Sequence, residues 1–205
     1  MTPEYWDKAK RTLTRRDPRL RAVIRAYRGE ALRLRGKGFQ TLARAIVGQQ
    51  ISVKAAQSVW DRFAAAHPGV TPEIVCASSV ERLRACGLSG QKSGYLFDLA
   101  AHFRDGRLDA TQWKKLEDET LITLLTEVKG IGRWTAEMFL IFNLARPNVF
   151  PVADLGLQKA MTLHYNRGRK LTPQKMHRIG AAWAPWRSVA TWYLWRSLDP
   201  IPVEY

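Results

Sequence analysis

LLTEVKGIGRWTAEMFLIFNLARPNVFPVADLG, residues 124–156, decides the reading of the chain. Two helical patterns meet in it at Lys129-Gly130-Ile131-Gly132, and a lone carboxylate, Asp154, follows soon after the second pattern ends. The first helix spans about 117–128, with Leu121, Leu124, Leu125 and Val128 as its apolar stripe. The second runs over 133–144, with Ala136, Phe139, Leu140 and Phe142 inward, and stops before Pro147. The Gly-x-Gly spacing permits a turn too tight for residues bearing a Cβ. It leaves the first N–H groups of the second helix facing outward, where they and Arg133 can hold an anion such as a DNA phosphate. An ordinary αα-hairpin with a glycine turn has the same spacing, so spacing alone leaves both readings open.

Outward from the hairpin the chain reads as helix throughout, with no run of strand alternation. Thr2-Pro3, Thr71-Pro72 and Thr172-Pro173 read as helix starts: the threonine accepts from the first turn and the proline needs no partner for its missing N–H. Helices are expected at about 3–13, 18–27, 39–47, 53–66, 72–77, 79–86 and 90–104 before the hairpin. Further ones follow at 154–163, 173–183 and 186–198. Val53, Ala56, Val59, Trp60 and Phe63 form one expected buried stripe. The fold class is all-α, a bundle of about ten helices joined mostly by short loops.

Composition narrows the function. Thirty-three Lys and Arg against eighteen Asp and Glu give +15, well above the ~2–8 that solubility asks of a small domain. Such a chain suits a polyanion: nucleic acid first, an anionic membrane surface second. No window approaches the roughly 18 consecutive apolar residues of a membrane span, and the N-terminus lacks the apolar core of a signal peptide. Two cysteines, Cys76 and Cys86, are too few for a disulfide framework or a four-cysteine cluster, and the four histidines have no metal-ligand spacing. The expectation is an intracellular, metal-poor protein.

Asp154 follows the apolar approach Val149, Phe150 and Val152 and opens a short helix. Aspartate is a good N-cap, so the residues alone leave capping and catalysis both open. Trp183, Trp186, Trp192 and Trp195, at helical spacings, read by themselves as core.

A resemblance carries the reading further. LLTEVKGIGRWTAEMFLIF followed by an aspartate is similar to the helix-hairpin-helix motif of the DNA glycosylase superfamily, which excises damaged bases. IVGQQISVKAA (46–56), GLSGQKSGYLFDLA (87–100), GIGRWTAEMF (130–139) and WAPWRSVATWYLW (183–195) resemble, in order, its 3-methyladenine DNA glycosylase II, or AlkA, branch. The similarity runs from about residue 38 to 198. It implies a single glycosylase domain of two subdomains, 1–37 with 147–205 and 38–146, with a cleft between them and the hairpin at 117–145. The branch's N-terminal β-rich domain is not expected in 205 residues.

The resemblance also assigns roles. Asp154 becomes the catalytic carboxylate, and the positive end of a helix favours the anion there. Breaking a nucleoside C1′–N bond builds positive charge on the sugar, which one carboxylate can stabilise before water adds at C1′. Ordinary glycoside hydrolysis needs a second carboxyl group to protonate the leaving group, but a base alkylated at a ring nitrogen already carries the charge. Relatives that also cut the strand have a nucleophilic lysine two residues after the second glycine. Trp134 stands there and cannot form a Schiff base, while Lys129 lies ahead of the glycines where many relatives have proline. A monofunctional enzyme that leaves an abasic site is therefore implied. Trp134 offers its face to a cationic base, Trp195 is implied as a second wall, and Met138 stands where the AlkA enzyme has tyrosine.

The flipped base leaves a gap, which the Gly48-Gln49-Gln50 turn is implied to fill, with Gln50 where the AlkA enzyme has leucine. Gly130, Ile131, Gly132, Arg133 and Thr135 are implied to hold the backbone. Main-chain oxygens of Thr126, Val128 and Ile131 can take a sodium or potassium ion in such a hairpin; no cofactor and no iron–sulfur cluster is expected. The expected partner is double-stranded DNA with damaged bases, bound by a monomer with no membrane association, in the cytoplasm at a bacterial nucleoid or in a eukaryotic nucleus. Two alternatives remain: a non-catalytic DNA-binding protein, and a glycosylase for neutral deaminated, etheno or oxidised bases.

Overall fold

The computed structural model describes residues 1–198, so the last seven residues of the expected subdomain 147–205 lie outside the described part. The described chain is all-α, with twelve α-helices, one 3₁₀ turn and no strand. In order the helices are α1 (Trp6–Arg16), α2 (Pro18–Ala26), α3 (Gly38–Gly48), α4 (Val53–Ala66), α5 (Pro72–Cys76) and α6 (Val80–Ala85). They continue with α7 (Gly90–Arg104), α8 (Asp118–Thr126), α9 (Arg133–Phe142), α10 (Leu155–Asn166), α11 (Pro173–Ala181) and α12 (Arg187–Arg196). Two compact units result: Met1–Leu34 together with the chain from Leu140 on (unit one), and Arg35–Phe139 (unit two). The second boundary falls inside α9 and not at 146/147, because the end of that helix belongs with unit one. Phe142 stacks on Trp195 with ring centroids 5.9 Å apart, and the Leu140 carbonyl accepts the Arg146 N–H at 2.9 Å.

Unit one is organised by buried aromatic rings and one buried aspartate. Trp6, Ala9 and Leu13 line the inner face of α1, and Leu20, Val23 and Ile24 that of α2. The Trp6 ring meets Trp192 edge-on at 5.3 Å and Tyr193 at 5.8 Å. Asp17, between α1 and α2, is only 8% exposed. One of its oxygens accepts the Arg19 and Leu20 N–H groups at 2.9 and 3.1 Å, capping α2. The other accepts the Tyr165 hydroxyl at 2.7 Å and the Trp183 indole N–H at 2.9 Å, tying α2 to α10 and to the stretch after α11. Burial, reinforced by the neighbouring carboxylate, pushes the Tyr165 phenol far above its ordinary pKa.

Unit two has an aromatic core in which Phe39 of α3, Phe103 of α7, Trp113 and Phe139 of α9 pack edge-to-face at 5.2–5.7 Å. Thr71 and Thr172 cap α5 and α11 as the Thr-Pro pairs predict, accepting from Ile74 N–H at 3.4 Å and Lys175 N–H at 3.3 Å. Thr2-Pro3 does not start a helix. Pro3 is buried and its carbonyl takes the Trp6 N–H at 3.0 Å, so α1 begins three residues later than expected and runs on to Arg16. The stripe expected on α4 is also only partly inward. Phe63 is fully buried, but Val53 is 72% exposed and Trp60 is half-buried beneath the Arg44 guanidinium, 5.5 Å from its ring. Apolar periodicity marks the helix; which positions meet a partner depends on elements distant in sequence.

Replacing Asp17 by alanine removes a cap and leaves two buried donors without an acceptor, an expected loss of about 3 kcal/mol. Urea unfolding of Asp17→Ala beside the wild type measures it, and a loss below about 1 kcal/mol would show that the Asp17 cluster is not a keystone of unit one.

Candidate active site and nucleic-acid interface

The hairpin is built in unit two and rests on α7. Past α8 the Lys129 N–H donates to the Asp98 carboxylate at 2.8 Å, and the Ile131 N–H to the Val128 carbonyl at 3.0 Å. Gly130 has φ +84, and a Cβ there would stand 2.2 Å from the Tyr95 ring, so the position is closed to other residues by conformation and by packing. Its carbonyl accepts the Gln49 amide at 2.7 Å. Gly132 differs: it is exposed, and a Cβ would meet nothing within 4 Å. Its carbonyl receives the Ala136 N–H at 3.0 Å, which opens α9. With Lys129 and Ile131 committed, Gly130, Gly132 and the first turn of α9 present the donors to an anion.

Arg133 is committed as well. Its guanidinium forks onto Glu119 at 2.6 and 2.8 Å, and its Nε–H donates to Glu137 at 3.0 Å. The hydrogen bonds from Arg133 hold the Glu119 carboxyl below its ordinary pKa. A phosphate reaching Arg133 must therefore compete with Glu119. In the same helix Trp134 is 40% exposed, Thr135 half-buried, and Met138, one turn on, buried at 6%.

The Gln49-Gln50 turn is braced by the same helix α7. The Lys92 ammonium donates to the Val47 and Gln49 carbonyls at 2.7 Å each, and burial lowers its pKa. Gln49 thus fastens the turn to the hairpin. Gln50 adopts left-handed φ +59 and is exposed, followed by Ile51 at 40% and Val53 at 72% exposure. Lys92, Tyr95 and Asp98, three residues apart along α7, support both loops. That spacing is written in GLSGQKSGYLFDLA, but nothing local says what such a face supports.

Asp154 belongs to unit one. The approach is fixed by Ser188, whose hydroxyl accepts the Val149 N–H at 2.9 Å and donates to the Arg146 carbonyl at 2.6 Å. Asp154 caps α10: Oδ1 accepts the Leu157 N–H at 2.6 Å. The same oxygen accepts the indole N–H of Trp195 at 2.7 Å, and the residue is 7% exposed. Gly156 makes this pairing fit, since a Cβ there would stand 3.1 Å from Asp154 Oδ1 and 3.2 Å from Trp195 Cδ1. Trp195 therefore holds the aspartate with its edge while Phe142 covers one of its faces, at an interplanar angle of 13°. Trp183 and Trp192 are core; of the tryptophans read as core from their spacing, Trp195 is the one that reaches the carboxylate. Sequence reading missed the role of Gly156, although a glycine two residues after a capping aspartate was there to see.

Asp154 and Trp195 are thus brought together in unit one, and Gln49, Gly130 and Arg133 in unit two, where Trp134 and Met138 also lie. Among the described residues no group of three or more His, Cys, Asp or Glu could hold a metal ion. Of the hairpin oxygens that a monovalent ion could use, that of Val128 already accepts the Ile131 N–H, while keeping a second lone pair. No helix of the described chain is long and apolar enough to cross a membrane.

Residues 43–186 match the HhH-GPD superfamily of base excision DNA repair proteins, and the chain belongs to that family. The DNA-3-methyladenine glycosylase 1 of Schizosaccharomyces pombe is 33% identical over 183 residues, covering 87% of this chain and 80% of the yeast protein. A crystal structure of a DNA-3-methyladenine glycosidase from Bacillus halodurans superposes with a TM-score of 0.84 at 37% identity, over 92% of this chain and 88% of that one. The structure of the S. pombe enzyme in complex with abasic DNA superposes with a TM-score of 0.79 at 31% identity, over 93% and 96%. Against a Bacillus subtilis relative, the chain spans about two thirds of that protein's length.

If Glu119 restrains Arg133, Glu119→Gln tightens binding to an undamaged duplex about 3- to 10-fold at low salt and steepens the log K against log salt slope by about 0.9, one further phosphate contact. Fluorescence anisotropy across a salt series reads both. Unchanged affinity and slope would show that Arg133 stays on Glu137 and takes no part in binding.

Proposed function

We propose that this protein is a monofunctional DNA glycosylase that excises alkylated purines such as 3-methyladenine from duplex DNA and leaves an abasic site. The observation that carries the reading is the buried Asp154 carboxylate, capping α10 and held by the Trp195 indole. Family membership and the names of the relatives support glycosylase chemistry. The hairpin's glycines and the α9 N-terminus grip a phosphate and position the duplex without reading sequence. Gln50, at the exposed tip of a braced turn, fills the space left by the flipped nucleotide. A sodium or potassium ion on the Thr126, Val128 and Ile131 carbonyls would steady the hairpin's main chain against the phosphate.

The chemistry follows from a single carboxylate. As the C1′–N bond breaks, its electron pair leaves with the base and positive charge develops on the sugar. Asp154, oriented by two N–H donors and largely out of water, stabilises that charge, and water adds at C1′ from the open face with loss of its proton. A purine alkylated at a ring nitrogen departs neutral without a general acid. The exposed Trp134 ring suits such a cation, and its place in the motif gives no amine for a Schiff base. Met138, buried one turn after Trp134 in α9, tunes the base pocket.

Release of 3-methyladenine from alkylated duplex is the deciding assay. Asp154→Asn should lose at least about 100-fold in single-turnover rate while retaining DNA affinity. Release of a neutral lesion in place of methylated purines would overturn the substrate assignment, and borohydride-trapped enzyme with nicked strands would overturn the monofunctional one.

Trp195→Phe keeps an aromatic ring but removes the N–H donor. Losing one hydrogen bond to a carboxylate, worth about 1.5–3 kcal/mol, predicts a roughly 10- to 100-fold slower rate with DNA affinity unchanged. A wild-type rate in this variant would make Trp195 a wall and not a positioning residue.

A further inference from the structure

The helices ahead of the family match hold a feature that the glycosylase reading does not use. Residues 1–42 carry twelve Lys and Arg against four Asp and Glu, a net +8 of the chain's +15 in about a fifth of its length. Within unit one, α1 and α2 enclose a groove of about 500 Å³ whose lining includes Lys10, Arg11 and Arg15 from α1, Arg25 from α2 and Arg28 from the turn that follows it. The four arginines are exposed. Lys10 is paired with Asp7 at 2.8 Å, and Arg11 also feels that carboxylate. Arg15, Arg25 and Arg28 make no ion pair with any described residue.

This is more than a solvated basic face. Trp6, Ala9 and Leu13 turn one side of α1 inward, which sends Arg11 and Arg15 to the other side, one helical turn apart. Arg25, in the last turn of α2, and Arg28, in the turn just after it, bring two more charges to the same groove. Like charges one turn apart disfavour a helix, as Arg11 and Arg15 do in α1, and all four guanidinium groups converge on one concave surface. An anion bridging them would relieve the repulsion, and guanidinium groups suit phosphate oxygens in particular. The groove is also separate from Asp154. Asp17, between α1 and α2, bonds Tyr165 near the C-terminal end of α10, roughly 16 Å along that helix from its Asp154 cap.

We propose that the α1–α2 groove is a second site for nucleic-acid backbone, binding phosphates without regard to sequence. The choice of nucleic acid over another polyanion rests on the glycosylase reading; the groove's affinity for phosphate does not. The backbone comes either from the flank of the duplex held at the hairpin or from a second duplex.

The test is Arg15→Gln/Arg25→Gln/Arg28→Gln, three exposed changes that remove the charge and keep a polar side chain, with thermal unfolding as the control for folding. Binding of undamaged duplexes of about 12 and about 30 base pairs is followed by anisotropy across a salt series, and two differently labelled duplexes report bridging by energy transfer. The triple variant should flatten the salt slope by about 2–3, at about 0.9 per lost phosphate contact, and weaken binding at least about 10-fold at low salt. A loss confined to the longer duplex places the groove on the same DNA; lost energy transfer places it on a second one, and either supports the proposal. A slope and bridging signal equal to wild type overturn it. Binding of wild type to phosphatidylglycerol vesicles that the variant loses, with DNA binding intact, assigns the groove to a membrane surface and also overturns it. Single-turnover rate at saturating short lesion duplex should be unchanged. If wild type shows no base release at all, the glycosylase reading fails while the slope still decides the groove.

Discussion

Two buried aspartates, each accepting an indole N–H, hold the two ends of α10, and much of unit one is arranged to supply their donors. A carboxylate taken largely out of water must be matched by donors or it destabilises the fold. At one end Asp17 meets this with both oxygens, accepting two main-chain N–H groups, the Tyr165 hydroxyl and the Trp183 indole. At the other end the Leu157 N–H and the Trp195 indole both come to one oxygen of Asp154. The two arrangements share their chemistry but differ in setting. Asp17 lies among core aromatics, whereas Asp154 sits where Trp195 is half-buried and the next residue, Leu155, is 78% exposed. A charged group held so near an opening to solvent is an expensive way to cap a helix, and this contrast is what favours a chemical role for the second aspartate.

Unit two solves a different problem, that of holding two short loops in a defined shape. Gly130 and Gln50 both take left-handed backbone, which is unfavourable for glutamine unless its neighbours hold it. The bracing comes from one face of α7: Lys92 on the carbonyls before Gln50, Tyr95 against Gly130, and Asp98 on the Lys129 N–H. Gln49 then joins the two loops directly through the Gly130 carbonyl. Change in one loop is therefore felt by the other. On the proposed reading the grip on the phosphate and the probe that fills the duplex are parts of one rigid piece, which lets binding strain the DNA and not the protein.

What was legible in the sequence were features whose causes are local. The glycines of the hairpin, the Thr-Pro caps at α5 and α11, the all-helical class and the position of Asp154 at a helix start all follow from neighbours within a turn or two. The misses share a physical reason: each depends on a partner far along the chain. Val53 follows helical periodicity yet faces solvent because no described residue covers the start of α4. Arg133 reads as an available charge until Glu119, fourteen residues earlier, closes on it. Gly156 reads as a neutral small residue until Trp195, from a helix further on, packs against it. The tryptophans of α12 have one spacing and two fates, and only the position of Asp154 distinguishes Trp195 from Trp192.

The charges of the chain divide in a way that sets the range of its forces. Around the hairpin, Arg133 is neutralised by two glutamates and Lys92 enclosed by two carbonyls, while the Lys129 side chain is exposed. Besides the Lys129 ammonium, the hairpin offers an anion N–H dipoles, whose pull falls away within a helical turn and depends on close geometry. Arg15, Arg25 and Arg28, which make no ion pair with any described residue, act differently, over about a Debye length, roughly 8–10 Å at moderate salt, and with little need of orientation. A protein searching undamaged DNA needs the second kind of force, weak per contact and tolerant of sliding. One that must hold a nucleotide in a fixed pose needs the first. On the proposed reading, charge for the first encounter and dipoles for the close grip come from different residues of the chain.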